Sequence, residues 1–439
     1  MTARPPACGR SLPWVAATCL WLLLGAACGS PEFGDVQSEG GLVRGSRLAR
    51  VTSLADNGDG SLRAALATCG PCVVLFDVSG VIRLESDLTI SGGPVTVAGE
   101  TAPSPGVILY GGTLRIRASD VVVSHLAIYP GSTTDPERAK SRDGISVYGS
   151  VSKQQTIGRI VLRNVSVGWG VDENIGLQGL VDGIRIERAL ISHPLRHGGH
   201  PKGSHSMNLL LGSSVGRVVV LGSVLAGADQ RSPRLTTGNR VTFVNNLVVA
   251  PGTAASHVEP SSEVSGSGAI DMIGNAFVAA PFTNCRRLAI HIDDAFLAPS
   301  ASTPVYLADN HVDNGRKPGC LRLPPVDLPG LASAPLTRVA GWPLTRGRDV
   351  EAAVLPFAGS HPIARNPIDA RLVAEICSGT VGLLDDERGR GGLAESRERR
   401  AVAAVPIRTA TLRTAHDVGA VRQWLCQHHQ RVTGLSICP

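Results

Sequence analysis

The 439-residue chain carries a net charge of +6, 51 glycines and 29 prolines, and only 4% of it is aromatic. Helix-period stretches are scarce, which argues against a mainly helical protein and for an all-β one with many turns. The modest positive charge favours an acidic partner, such as an anionic polysaccharide, over nucleic acid.

Arg4 and Arg10 precede the apolar run Trp14–Leu24, and Gly25, Ala26 and Ala27 follow it. That order is the one of a secretory signal peptide over residues 1–27; the run is shorter than the roughly 20 residues a bilayer demands. Cys28 comes next, as in a bacterial lipoprotein signal, although Gly25 stands where that signal has Leu. A secreted protein, or one lipid-anchored at the cell envelope through Cys28, is the expectation. Residues 28–49 are Gly/Ser-rich without an apolar period and read as a tether. Residues 50–345 form the expected main domain, 346–384 a C-terminal segment packed on it, and 385–439 a tail.

An exported chain can form disulfides. Cys69 and Cys72 can close a small loop, Cys285 and Cys320 can bridge two loops, and Cys377, Cys426 and Cys438 leave an odd thiol. Cys69-Gly-Pro-Cys72 runs into a strand instead of opening a helix, so its role is structural and not redox. Ser61–Ala67 puts Leu62, Ala65 and Leu66 on one face and predicts a small helix capping a β structure. Short strands follow without interruption.

From Val121 a unit recurs: alternating apolar residues, a small polar step, then more apolar residues. Aligned at the step, the positions are His125, Asn164, Ala189, Ser223, Asn246, Asn275 and Asn310. The shortest spacings, 246 − 223 = 23 and 189 − 164 = 25, suit one turn of a β-solenoid, with longer ones carrying loop insertions. Asparagines at matched steps would stack as an internal ladder. A β-sandwich would need hairpin turns, whereas same-register repetition dominates here. The insertions 131–142, 168–174, 193–206 and 228–238 follow the same part of their coils and should line one long face, which suits a polymer.

Those loops hold the concentrated chemistry: Asp143; the pair Asp172 and Glu173; His193, His197, His200, Lys202 and His205; and Arg231 with Arg234. Carboxylates and guanidiniums on one rigid scaffold point to a cation plus an anionic substrate. Asp172 and Glu173 are neighbours, which point to opposite faces of a strand, so both can ligate only if the chain bends there. The glycine-rich spacing of the histidines permits zinc but does not specify the three or four ligands in fixed geometry that zinc takes; the loop reads instead as substrate-contacting.

Val51-Thr-Ser-Leu-Ala-Asp56, Phe76-Asp-Val-Ser-Gly80, Ala98-Gly-Glu-Thr-Ala-Pro103, Asp143-Gly-Ile145, Trp169-Gly-Val-Asp-Glu-Asn174, Arg231-Ser-Pro-Arg-Leu235 and Asp369-Ala-Arg-Leu-Val-Ala-Glu-Ile376 occur in that order. The set resembles the pectate lyases over roughly residues 50–384. The resemblance implies a right-handed parallel β-helix that cleaves polygalacturonate, or a related acidic polysaccharide, by calcium-dependent β-elimination, and we expect it to act as a monomer. It implies Asp143 as one calcium ligand, Asp172 and Glu173 in the region of the others, and Arg231 as proton acceptor. It also places a substrate-contacting Lys close to the histidine loop, where Ser206 or Met207 falls nearer the expected place than Lys202. Lys202, His205 and Arg234 are our own reading as substrate contacts. Thr236 stands where many members have a further Arg. The chemistry is coherent: removing a proton next to a uronate carboxylate requires that carboxylate's charge to be neutralised, by a hard cation on oxygen ligands and by fixed guanidiniums. Arginine is an awkward base, with a reference pKa above about 12. A methyl-ester-specific pectin lyase would not need the three carboxylates. Readings from other classes are a non-catalytic β-helix that binds polysaccharide, which would tolerate loss of Arg231, and a β-helix glycoside hydrolase, which lacks a clear second carboxylate cluster here. Trp169 either stacks on sugar or packs under the site. Beyond these motifs, Asn366–Ile376 predicts a helix ending at Gly379, 385–400 a charged linker, and Ala415–His429 an amphipathic helix.

Overall fold

The computed structural model describes residues 41–261, 266–298, 300–315, 317–337, 342–393 and 418–435. The expected signal segment, Cys28, Cys438 and residues 394–417 lie outside the described residues.

The chain winds as a right-handed parallel β-helix. Successive turns each lay down one strand in three sheets: one of ten strands from Arg47–Val51 to Val305–Ala308, a second of nine from Gly80–Arg83 to His311–Asp313, and a third of eight from Leu88–Ile90 to Ile290–Ile292. Parallel neighbours require a long crossover, and here the rest of each coil is that crossover. The interior is built of in-register columns. Val95, Val121, Ile160, Ile184, Val218, Val241, Ile270 and Val305 are successive partners in the first sheet, and all are fully buried. Branched side chains stacked this way bury apolar area against the next coil only, at about 1.5–3 kcal/mol per side chain.

The polar step resolves into two columns. His125, Asn164, Arg188, Gly222, Asn245, Gly274 and Asp309 all have φ between 48° and 61°. They form the one-residue corner between the first and second sheets, where Gly, Asn and Asp meet the smallest steric penalty. The residue after each corner points inward, giving Ala189, Ser223, Asn246, Asn275 and Asn310. The repeat alignment is therefore corrected by one position at His125 and Asn164: these are corner residues, and their coils place Leu126 and Val165 in the core. The ladder itself is present. Asn275 Oδ1 accepts from Asn246 N at 2.9 Å, Asn310 Oδ1 from Asn275 N at 3.0 Å, and the amide groups donate to Val220, Phe243 and Met272 carbonyls. It supplies the partners that the corner takes from the backbone.

The helix Leu62–Ala67, capped by Ser61 Oγ accepting from Ala64 N at 3.1 Å, buries Leu62 and Leu66 over the N-terminal end of the core. Disulfides join Cys69 to Cys72 and Cys285 to Cys320. Order begins earlier than position 50, because Arg47–Val51 pairs with Cys72–Phe76.

The second sheet is covered from outside. Leu190, Val224, Leu247 and Ala276 pack against Val350, Val354, Leu372 and Ile376 of the C-terminal segment. Its helix Pro367–Ser378 starts at the Asn366 cap and stops at Gly379 in the left-handed region. Asp369 anchors it by accepting from Tyr129 and, at 2.6 Å, from Ser166. Residues 385–393, expected as linker, are instead packed down: Glu387 is buried and accepts from Ser132 N at 3.0 Å and Ser132 Oγ at 2.8 Å, and Leu393 joins an apolar cluster with Tyr129 and Trp169. The Glu387 charge looked solvated in sequence because its partner Ser132 lies 255 positions away. The helix Val418–Thr433 sets Val421 in a cluster with Leu42 and with Val73, Leu75 and Ala98 of the first sheet. The outer face of the third sheet keeps exposed or half-buried side chains, among them Arg115, Tyr148 and Gln178.

Candidate active site

All four inserted loops enter the third sheet from the second. Register puts Ile145, Ile175 and Leu209 in one column, and Glu173 opposite Met207. Asp143 and Glu173 thus stand on successive coils, with Arg231 two coils beyond Glu173, where its carbonyl accepts from Leu209 N. The bend that adjacent carboxylates require is present. Trp169 has φ 59°, Asn174 Oδ1 accepts from Gly170 N at 2.9 Å, and a Cβ on Gly170 would lie 2.2 Å from the Glu173 carbonyl oxygen. Only glycine permits that approach. Beneath the bend runs a second polar ladder: Asn174 donates to Asn208 Oδ1 at 2.9 Å, and Asn208 to Ser232 Oγ at 3.1 Å. It ties the second, third and fourth loops to one another.

Oxygens of Asp143, Asp172 and Glu173 come within 4.8 Å of one another. Asp143 and Glu173 are buried and Asp172 is half-buried. Burial, then the Asp172 charge, pushes the Asp143 carboxyl up to about 7. Glu173 is held well above the ordinary carboxylate range by burial and by both aspartates, with Arg231 offsetting part of it. Arg231 pairs with Glu173 Oε1, while the buried Oε2 has no hydrogen-bond partner among the described residues. A converging all-oxygen donor set with an orphaned buried oxygen fits a hard dication, and the repulsion among the three groups is what such an ion would relieve. Arg234, three residues on from Arg231, opens the strand Arg234–Thr236 and pairs with Glu259.

No protein-family model matches the chain. Among curated proteins, the probable pectate lyase C of Aspergillus terreus is 28% identical over 355 residues, covering 78% of this chain and 76% of that protein. The probable pectate lyase C of Aspergillus fumigatus is 27% identical over 358 residues, covering 80% and 77%. Over more than three quarters of its length the chain is similar to proteins named pectate lyases. Two solved structures show the fold. The major allergen of cedar pollen has TM-score 0.51 at 16% identity, covering 77% of this chain and 88% of its own. A polygalacturonate lyase fused with a self-assembling amphipathic peptide has TM-score 0.50 at 13% identity, covering 77% and 98%.

The histidine loop does not form one cluster. His200 and His205 stack with ring centroids 3.6 Å apart and turn Nε2 toward Asp172 Oδ1, at 3.7 and 3.6 Å. His197 faces Asp385 at 3.2 Å, and His193 lies 3.6 Å from Glu375 behind the sheet. Lys202 is exposed at the loop tip, and its N–H donates to His200 Nδ1 at 3.2 Å. Trp169 is 2% exposed and packs on Tyr129 at 4.9 Å, so it lies under the site and does not stack on sugar. Sequence reasoning passed over two groups. Buried Arg142 ties down the loop ahead of Asp143 by donating to the carbonyls of Gly111, Pro130 and Gly131. Arg115 and Arg117 both face outward on the third sheet, with the Arg117 guanidinium 4.8 Å above the exposed Tyr148 ring. The alternation Leu114-Arg115-Ile116-Arg117 was the available signal for that pair.

Proposed function

We propose that this protein is an exported, calcium-dependent pectate lyase that cleaves polygalacturonate by β-elimination to unsaturated oligogalacturonides. The observation that carries the reading is the convergence of Asp143, Asp172 and Glu173 beside Arg231 at the third sheet, in a chain similar to proteins named pectate lyases. Asp143, Asp172 and Glu173 would hold the calcium. Bound there, calcium neutralises a uronate carboxylate and so acidifies the neighbouring C–H.

The chain's own residues do the rest. Arg234, Lys202 and the outward Arg115 and Arg117 attract and orient an acidic polymer along the third sheet. His205 flanks Asp172 and contacts the sugar. Arg231 accepts the proton. Its partner Glu173 fixes the guanidinium in place. The disulfides support export, since such bonds persist in oxidising compartments. Cleavage after Ala27 with a lipid on Cys28, and a monomeric state, belong to the same proposal.

The test is absorbance at the unsaturated-uronate band with polygalacturonate as substrate, with calcium and with chelator. Absorbance that grows only with calcium is expected. Reducing ends without the band would indicate a hydrolase, and tight binding with no product would indicate a binding protein.

A further inference from the structure

We propose that His200, His205 and Asp172 form a second metal site, for a nitrogen-seeking divalent transition ion of the zinc class, next to the all-oxygen carboxylate cluster and sharing Asp172 with it. The inference is independent of the lyase reading.

Geometry carries it. The two Nε2–Oδ1 separations, 3.7 and 3.6 Å, are too long for N–H···O hydrogen bonds, which run about 2.7–3.2 Å. They are close to the roughly 3.3–3.4 Å between two ligand atoms on a tetrahedral ion with bonds of about 2.0–2.1 Å. All three candidate ligand atoms lie within 4.8 Å of one another. Two imidazoles with one carboxylate suit zinc, cobalt or nickel, whereas calcium takes oxygens.

The surroundings fit as well. His205 Nδ1 faces the Gly203 carbonyl at 3.3 Å, the outer contact that fixes a ligating tautomer with Nε2 free. Both rings are less than 10% exposed and lean against a loop whose tip, including Lys202, is open to solvent. Ligation by His200 carries one cost. Lys202 N–H now donates to its Nδ1, so binding through Nε2 moves the ring proton to Nδ1 and gives up that bond. Two imidazoles and a carboxylate leave the fourth tetrahedral position for water or a ligand oxygen.

The experiment uses the mature protein without a polyhistidine tag, stripped of metal and free of substrate. Cobalt(II) is titrated while its visible absorption is followed, and zinc(II) is titrated by calorimetry. One tightly bound ion per chain with a tetrahedral cobalt band is expected. His205→Ala should weaken binding at least tenfold and remove the band, and His200→Ala should do the same. Asp143→Asn, which alters only the carboxylate cluster, should retain both. Circular dichroism checks folding, and His205→Gln serves if the alanine variant does not fold. Absence of stoichiometric binding in the wild type would overturn the proposal. So would wild-type affinity in both His205 variants, or loss of the band in Asp143→Asn, which would place the ion among the oxygens.

Discussion

Arg231 and Arg234 carry the same charge three coils beyond Asp143, yet their partners differ in kind. Arg231 is paired with a 1%-exposed glutamate inside the carboxylate cluster, whereas Arg234 is paired with Glu259 on the outer face. Arg231→Lys keeps the charge but loses the planar fork. A displacement of about 1 Å costs on the order of a hundredfold in rate, so kcat should fall by that factor or more while the circular dichroism spectrum is unchanged. Arg234→Lys should instead raise KM with a smaller effect on kcat. Retention of kcat by Arg231→Lys and its loss in Arg234→Lys would reverse the assignment. Asp172→Ala should abolish calcium uptake in calorimetry with oligogalacturonate present, since it removes one of three converging ligands.

At the scale of single elements, the asparagine ladder and the C-terminal helix each carry a consequence. Asn275 sits mid-ladder, between Asn246 and Asn310, so Asn275→Ala strands buried groups on the coils either side. Each stranded group costs about 1–3 kcal/mol. Denaturant titration should show a loss of about 2–4 kcal/mol, with a smaller one for Asn310→Ala at the ladder's end. The helix Val418–Thr433 docks through His429, whose Nδ1 faces His125 Nε2 at 2.7 Å, with His361, Arg163, Arg188 and Glu187 around them. Burial first, then the neighbouring cations, pushes His429 down to about 3; burial pushes His361 to about 4 and His125 well below the ordinary range. Folded values below the unfolded value of about 6.5 mean that the unfolded chain binds more protons as pH falls. Stability is complete above that pH and is lost toward pH 4 and 3. Protection factors within 418–433, taken relative to the intrinsic exchange rate at each pH, should therefore fall between pH 7 and pH 5 before those of the first sheet do.

For the molecule as a whole, the carboxylate cluster works in the opposite sense. Asp143, Asp172 and Glu173 all have folded values raised above the unfolded ones, by burial before all else. The folded state then holds the extra protons, so the cluster subtracts stability as pH climbs from about 4 through the Asp143 value of about 7. In chelator, Tm should fall over that range. Calcium binds the folded state through ionised groups, so it should raise Tm more at pH 8 than at pH 5. Asp143→Asn should raise the metal-free Tm and shrink the calcium shift. An equal calcium shift at both pH values would place the ion away from these carboxylates.

The solenoid, its inner asparagines and the common face of the four loops were legible in the sequence, because each coil meets only its neighbours and the pattern repeats at the coil's own period. The helix at Pro367–Ser378 was legible for a local reason as well, with Asn366 and Gly379 marking its ends. Which residue turns the corner and which points inward was not, since His125 and Asn164 differ from the ladder residues only in backbone sign. Nor did sequence spacing distinguish His200 and His205, beside Asp172, from His193 and His197, which face the C-terminal segment. The same holds for Glu387 under Ser132 and for Glu173 under Arg231, 58 positions apart. Repetition is written along the chain and can be read there. Which side chains meet across coils depends on loop paths between them, and only the tertiary structure fixes those.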